Sequence, residues 1–144
     1  SKKCVVMAAT LGATVDSRIA FYSRFNITKG LIMDACATTA IEYLCDELQD
    51  EIMKNASKDN LFITNRYSPG YGDFSIENQS DILNVLDAYK KIGLSVTGNS
   101  IMLPRKSVTA IIGLNEVENK NSAKGCNHCK NVGCEFRKDG GYCV

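Results

Sequence analysis

The sequence contains no tryptophan, only two prolines and a single histidine, His128, in 144 residues. One histidine, with no nucleophile–base constellation beside it, argues against a histidine-driven hydrolase. An excess of either charge is also lacking. Seventeen lysines and arginines against sixteen aspartates and glutamates leave a formal net charge of +1. No general electrostatic attraction to nucleic acid or to a membrane surface follows. There is no run of roughly 18 or more apolar residues, so no segment reads as a membrane-spanning helix. Ser1-Lys2-Lys3-Cys4-Val5-Val6 lacks the apolar stretch of a secretion signal. A cytoplasmic protein is the expectation. The chain opens on Ser1 rather than Met, as a piece of a longer protein would.

What is present suits one ordinary domain. Apolar residues make up 44% and charged residues 23%, close to typical soluble composition. A chain of this size buries about 68–70% of its unfolded surface, enough for a conventional core. Seven cysteines are many for the length. Cys4, Cys36 and Cys45 are scattered among apolar neighbours and read as core packing. Cys126, Cys129, Cys134 and Cys143 fall within the last 19 residues. An odd total with this distribution fits a reducing compartment better than a disulfide framework.

Hydrophobic periodicity lays out the elements. Lys3 to Ala9 reads as a buried strand, and Asp16 to Phe25 as a short helix. Thr28 is placed to cap a long helix running to about Asn55. Its apolar stripe is Leu31, Ala35, Thr38, Ile41, Cys45, Leu48 and Ile52, with Asp46, Glu47, Asp50 and Glu51 solvated. Leu61 to Thr64 is a short strand. Ser80 caps another helix, bearing Ile82, Leu83, Leu86, Tyr89 and the stem of Lys90, which ends at Gly93. Ser95 to Leu103 and Ser107 to Leu114 read as strands on either side of Pro104. Glu116 to Gly125 is a polar connector. The order βααβαββ predicts an α+β fold, a mixed and mainly antiparallel sheet packed with two or three helices. Residues 1–115 form the domain, and residues 116–144 a connector and Cys-rich tail.

The segment Arg66-Tyr67-Ser68-Pro69-Gly70-Tyr71-Gly72-Asp73 places a proline and two glycines within four residues, the mark of an ordered loop. Gly70 and Gly72 permit close approach to the main chain. Arg66 suits a carboxylate, and Tyr71 offers a flat face to a ring. A tight structural turn accounts for the same composition.

Arg66-x-x-Pro69-Gly70-Tyr71 resembles the adenosylmethionine-binding signature of the reactivation domain of cobalamin-dependent methionine synthase. Ala8-Ala9-Thr10-Leu11-Gly12 with Val15-Asp16-Ser17-Arg18-Ile19 resembles the opening of that family's small stand-alone members. Ile92-Gly93-Leu94-Ser95-Val96-Thr97, and Met102-Leu103-Pro104 with Lys106-Ser107-Val108, resemble two later segments in the same order. The likeness spans about residues 4 to 114. It implies a module that binds S-adenosylmethionine and supports reductive remethylation of cob(II)alamin on a corrinoid-binding methionine synthase. The electron would come from a flavodoxin-like or ferredoxin-like donor. The cobalamin, carried by the partner, supplies the hard chemistry, and the protein supplies position. Such a chain is an accessory of a methyltransferase rather than an enzyme that turns over alone.

By the same resemblance, Arg66 would grip the ligand's carboxylate, and Pro69, Gly70 and Tyr71 would wall its pocket. Lys106 and Ser107 would face the corrinoid, although a solvated charge and a strand start are the simpler account of them. The family places acidic residues in the long helix and just before the loop, where this chain holds Thr38 and Asn60. Its later ligand-facing strand is replaced here from Asn115 onward.

The tail has chemistry of its own. Cys126-x2-Cys129-x4-Cys134-x8-Cys143 can bind zinc or an iron–sulfur cluster through four thiolates, with His128 a substitute ligand. Lys124, Lys130, Arg137 and Lys138 would offset thiolate charge. Redox-active thiols, or free thiols, are the other readings. Two alternatives therefore stand beside the reactivation module. One is a metal-binding interaction module that keeps the fold without adenosylmethionine. The other is an activator of a different corrinoid methyltransferase.

Overall fold

The computed structural model describes residues 3–117. Strand β1 (Lys3–Thr10) leads into α1 (Ala13–Phe25) and the long α2 (Ile27–Lys58). There follow β2 (Phe62–Ile63), α3 (Asn78–Leu86), α4 (Ala88–Ile92), β3 (Ser95–Val96), β4 (Met102–Leu103) and β5 (Ser107–Asn115). The described residues thus form a mixed α+β unit with four helices and a small antiparallel sheet. The metal-ligand set proposed for Cys126, Cys129, Cys134 and Cys143 lies outside the described residues.

The sheet is built on β5, whose sequence Ser-Val-Thr-Ala-Ile-Ile is rich in β-branched residues that favour a pleated, buried strand. It takes the centre, in the order β1-β5-β2. β1 pairs with it antiparallel along its whole length, from Lys3 opposite Leu114 to Thr10 opposite Ser107. β2 meets only Asn115 and Leu114. Side chains alternate across β1 as a strand requires. Met7 and Ala9 join Ile41 and Cys45 of α2 with Ala110 and Ile112 in one core. Ala8 packs instead against Leu83, Ala88 and Leu94 on the other face. The sheet therefore separates α2 from a layer made by α3, α4 and the β3–β4 hairpin.

α2 is 32 residues long, about 48 Å at 1.5 Å per residue. β5 has nine residues, about 30 Å of strand. The helix outruns the sheet, so its first turns lie beyond the strands and pack on α1. This corrects the expected stripe. Ala37, Ile41, Cys45 and Ala56 are buried, whereas Leu31, Ala35 and Thr38 are exposed. Gly30 allows the close contact between the two helices, since a Cβ there would lie 2.7 Å from Ser23 Oγ and 2.8 Å from its Cα. Cys45 is buried as expected, and desolvation pushes its thiol above the usual range, but Cys4 and Cys36 are exposed.

Other boundaries move for local reasons. α1 starts at Ala13, directly after Gly12 at φ 82°. The cap of α2 is Asn26, whose side chain accepts the Lys29 N–H at 3.0 Å, rather than Thr28. The helix read from Ser80 to Gly93 begins at Asn78 and breaks at Asp87, which adopts the left-handed conformation (φ 51°) that aspartate tolerates. Gly93 (φ 67°) ends α4 as expected. Ser95 to Leu103 is a hairpin rather than one strand. Thr97 N–H donates to the Ile101 carbonyl at 2.9 Å, and Ser100 N–H to the Thr97 carbonyl at 2.9 Å.

Ile112 is 0% exposed and Leu31 is 70% exposed. Ile112→Ala is expected to cost about 2–5 kcal/mol in urea unfolding, and Leu31→Ala less than about 0.5 kcal/mol. Equal losses at the two positions would contradict the overhang of α2.

Candidate functional site

The 66–76 segment folds back on itself. Tyr67 exchanges two main-chain hydrogen bonds with Ile111 of β5, both 2.9 Å, which ties the loop to the sheet. Tyr71 N–H then donates to the Ser68 carbonyl (3.3 Å) and Gly70 N–H to the Phe74 carbonyl (2.8 Å). The Tyr67 hydroxyl donates to Asp73 Oδ1 at 2.9 Å, and its ring stacks on Phe74 at 5.9 Å between centroids. Gly72, at φ 59°, passes beneath that hydroxyl so closely that a Cβ would collide with it. Gly70 (φ 93°) faces Ile76 Cδ1, which a Cβ would meet at 3.2 Å. Both glycines are therefore required by the turn itself, whatever the loop binds.

A cavity of about 440 Å³ opens beside this loop, within the usual size range of small-molecule sites. It exists because β2 is so short. Past the Tyr67–Ile111 bridge the chain turns away at Ser68, and Pro69 has no N–H with which to extend the ladder. The edge of β5 at Ser107, Val108 and Thr109 is left lining the cavity. Ile111 directs its polar groups toward Tyr67, so Thr109, two residues back, directs its own N–H and C=O to the same open side. Neither takes a main-chain partner among the described residues. Pro69, Tyr71, Ile76, Ile101 and Met102 give the cavity apolar and aromatic walls, and Gln79, Glu42 and Arg105 add polar groups. Gln79 is itself buried, with its amide donating to the Ser100 carbonyl at 3.2 Å.

The expected site residues divide. Pro69, Tyr71 and Ser107 are brought together on the cavity wall. Tyr71 is 70% exposed at its mouth. Ser107 is buried, its hydroxyl 2.6 Å from the Pro104 carbonyl and 2.8 Å from Thr10 Oγ1. Arg66 is not open to a ligand. Its guanidinium is shared between Asp46 (2.8 Å) and Glu42 (3.3 Å), with the side chain 17% exposed. Lys106 turns to the same helix and pairs with Asp34 (2.9 Å) and the Thr38 hydroxyl (2.9 Å). Asp34, Thr38, Glu42 and Asp46 are spaced by four, so they form one polar seam along α2. Arg66 and Lys106 clamp that seam at points about 12 Å apart along the helix, eight residues at 1.5 Å each.

Glu42, Gln79, Thr109 and Arg105 were not singled out by sequence reasoning. The four-residue spacing of Asp34, Thr38, Glu42 and Asp46 is the sequence signal that could have found Glu42. Nothing in the sequence announces that β2 stops short of Thr109. Among the described residues there is no cluster of histidine, cysteine, aspartate or glutamate able to hold a metal ion. No known family model and no curated protein sequence matches the chain.

Two outcomes test this local geometry. Gly72→Ala is expected to destabilise the chain by about 1–3 kcal/mol, from left-handed strain and the collision with Tyr67. Tyr67→Phe in the same chain should recover part of that loss, and additive effects in the double-mutant cycle would refute the contact. The second outcome is a titration. The bond to Asp73 favours neutral Tyr67 and raises its pKa above 10.0, whereas Lys29, 3.9 Å over the ring of Tyr22, lowers the pKa of that residue. The Tyr67 contribution to loop stability is therefore present below pH 10.0 and lost as pH rises through the raised value. In phenolate absorbance, Tyr22→Phe should remove an early-titrating step and Tyr67→Phe a late one.

Proposed function

We propose that the chain binds S-adenosylmethionine in the 440 Å³ cavity and supports reductive reactivation of a corrinoid protein in methionine synthesis. The observation that carries this reading is the convergence of Pro69 and Tyr71 with Thr109 and Glu42 on one small-molecule-sized space. A flat adenine ring suits Tyr71 and the apolar wall. The N–H and C=O of Thr109 offer the donor–acceptor pair that a purine edge complements. Glu42 supplies a negative charge toward the cationic sulfonium, and Arg66 orients that carboxylate. When bound, adenosylmethionine supplies a transferable methyl group, and cobalamin on the partner accepts it. This chain's share of the work is binding, orientation and exclusion of water from the ligand.

The partner on this reading is a corrinoid-binding methionine synthase subunit, with a flavodoxin-like or ferredoxin-like protein as electron donor. No described helix is long and apolar enough to cross a membrane. A second reading keeps the fold as an interaction module without the ligand. The ion pairs that already occupy Arg66 favour it.

Calorimetric titration of the purified chain with adenosylmethionine separates the two. Saturable binding, weakened at least about tenfold (about 1.4 kcal/mol) by Arg66→Ala and by Tyr71→Ala, is the expected result. No heat of binding to a wild-type chain that melts cooperatively would sink the ligand site and favour the interaction module.

A further inference from the structure

Arg105 is the basic residue among those lining the cavity, and the two basic residues of the expected site, Arg66 and Lys106, are already paired. Arg66 holds Glu42 and Asp46, and Lys106 holds Asp34. The Arg105 side chain has no carboxylate partner among the described residues. Its main chain is nonetheless held. The backbone N–H of Arg105 donates to the Asp16 carboxylate of α1, and the residue before it, Pro104, is buried. Arg105 further lines the adjoining cavity of about 700 Å³ formed with Asp16, Ser17, Asp34 and Lys106, so it stands on the ridge between the two spaces. The result is an exposed guanidinium on a fixed backbone at the side of the site.

We infer that Arg105, rather than Arg66, takes the carboxylate of the ligand. A ligand carboxylate arriving at Arg66 would have to compete with two carboxylates and face the repulsion of both. At Arg105 it meets a guanidinium that has no side-chain partner among the described residues and whose fork of donors matches a carboxylate. Glu42 and Asp46 share the single guanidinium of Arg66, which leaves a net negative charge beside the cavity. With Arg105 this makes one positive and one negative group, the pattern complementary to a zwitterionic amino-acid head joined to an aromatic ring. The assignment rests on the reading of the cavity as an adenosylmethionine site and specifies which end of that ligand each residue meets.

Two probes test it by calorimetry, adenosylmethionine and methylthioadenosine, which keeps the adenosine and sulfur but lacks the amino-acid head. Arg105→Gln is expected to weaken adenosylmethionine at least about tenfold and to change methylthioadenosine by less than about twofold. Gln retains the backbone N–H that Asp16 accepts, so an unchanged melting temperature should accompany the loss. Arg105→Gln with unaltered adenosylmethionine affinity overturns the assignment and leaves the binding site standing. Equal loss of both probes also overturns it, since the residue would then act on the adenosine or on the fold. A folded wild-type chain that binds neither probe overturns the site and the anchor together.

Discussion

The antiparallel ladder between β1 and β5 is the constraint on which the rest of this structure depends. Its eight pairs run without a bulge from Lys3–Leu114 to Thr10–Ser107. A slip of one residue would turn Met7, Ala9, Ala110 and Ile112 away from α2 and bring in Val6, Ala8, Thr109 and Ile111, whose sizes and shapes do not match that core. The same register fixes which way each main-chain amide of β5 points. Because Ile111 is bonded to Tyr67, Thr109 has to face the gap beyond it. A core requirement and a candidate binding surface are thus set by one pairing.

α2 is divided lengthwise between two tasks. One face puts Ile41 and Cys45 into the core, and the neighbouring seam from Asp34 to Asp46 receives Lys106 and Arg66. The carboxylates in these pairs are largely exposed, so the pairs add little stability. Their effect is positional. They hold the start of β5 and the 66–76 loop against the same helix, with the cavity alongside. The helix end beyond the sheet leaves Phe21, Phe25, Ile27 and Leu31 exposed on the α1–α2 hairpin.

The fold class was legible because it rests on periodicity. The continuous apolar run in β1, the β-branched run in β5 and the three-and-four spacing of Ile41, Cys45, Leu48 and Ile52 are strong local signals. Errors arose where partners decide. The stripe of α2 continues through Leu31 in sequence, but no sheet lies beneath it. The break at Asp87 and the turn at Thr97–Ile101 depend on single left-handed residues, Asp87 (φ 51°) and Ser100 (φ 59°), that propensity does not flag. Of the residues on the cavity wall, Pro69 and Tyr71 stand out in the composition of the loop, whereas Ser107 is named only through the resemblance. The ion pairs of Arg66 and Lys106 could not be read from the sequence, since they join residues at least 20 positions apart. The main-chain pair of Thr109 has no side-chain signature at all.

The loop from Tyr67 to Phe74 closes through its own hydrogen bonds and stacked rings, and it joins β5 by a single two-bond bridge. Few of its internal contacts are shared with the core. Changes at its outward positions, such as Tyr71, can accumulate without disturbing the register of the sheet. Over evolutionary time such a segment behaves as a cassette, free to diverge in what it greets while the ladder behind it stays under selection for folding. The same separation makes it the natural place to graft a new specificity.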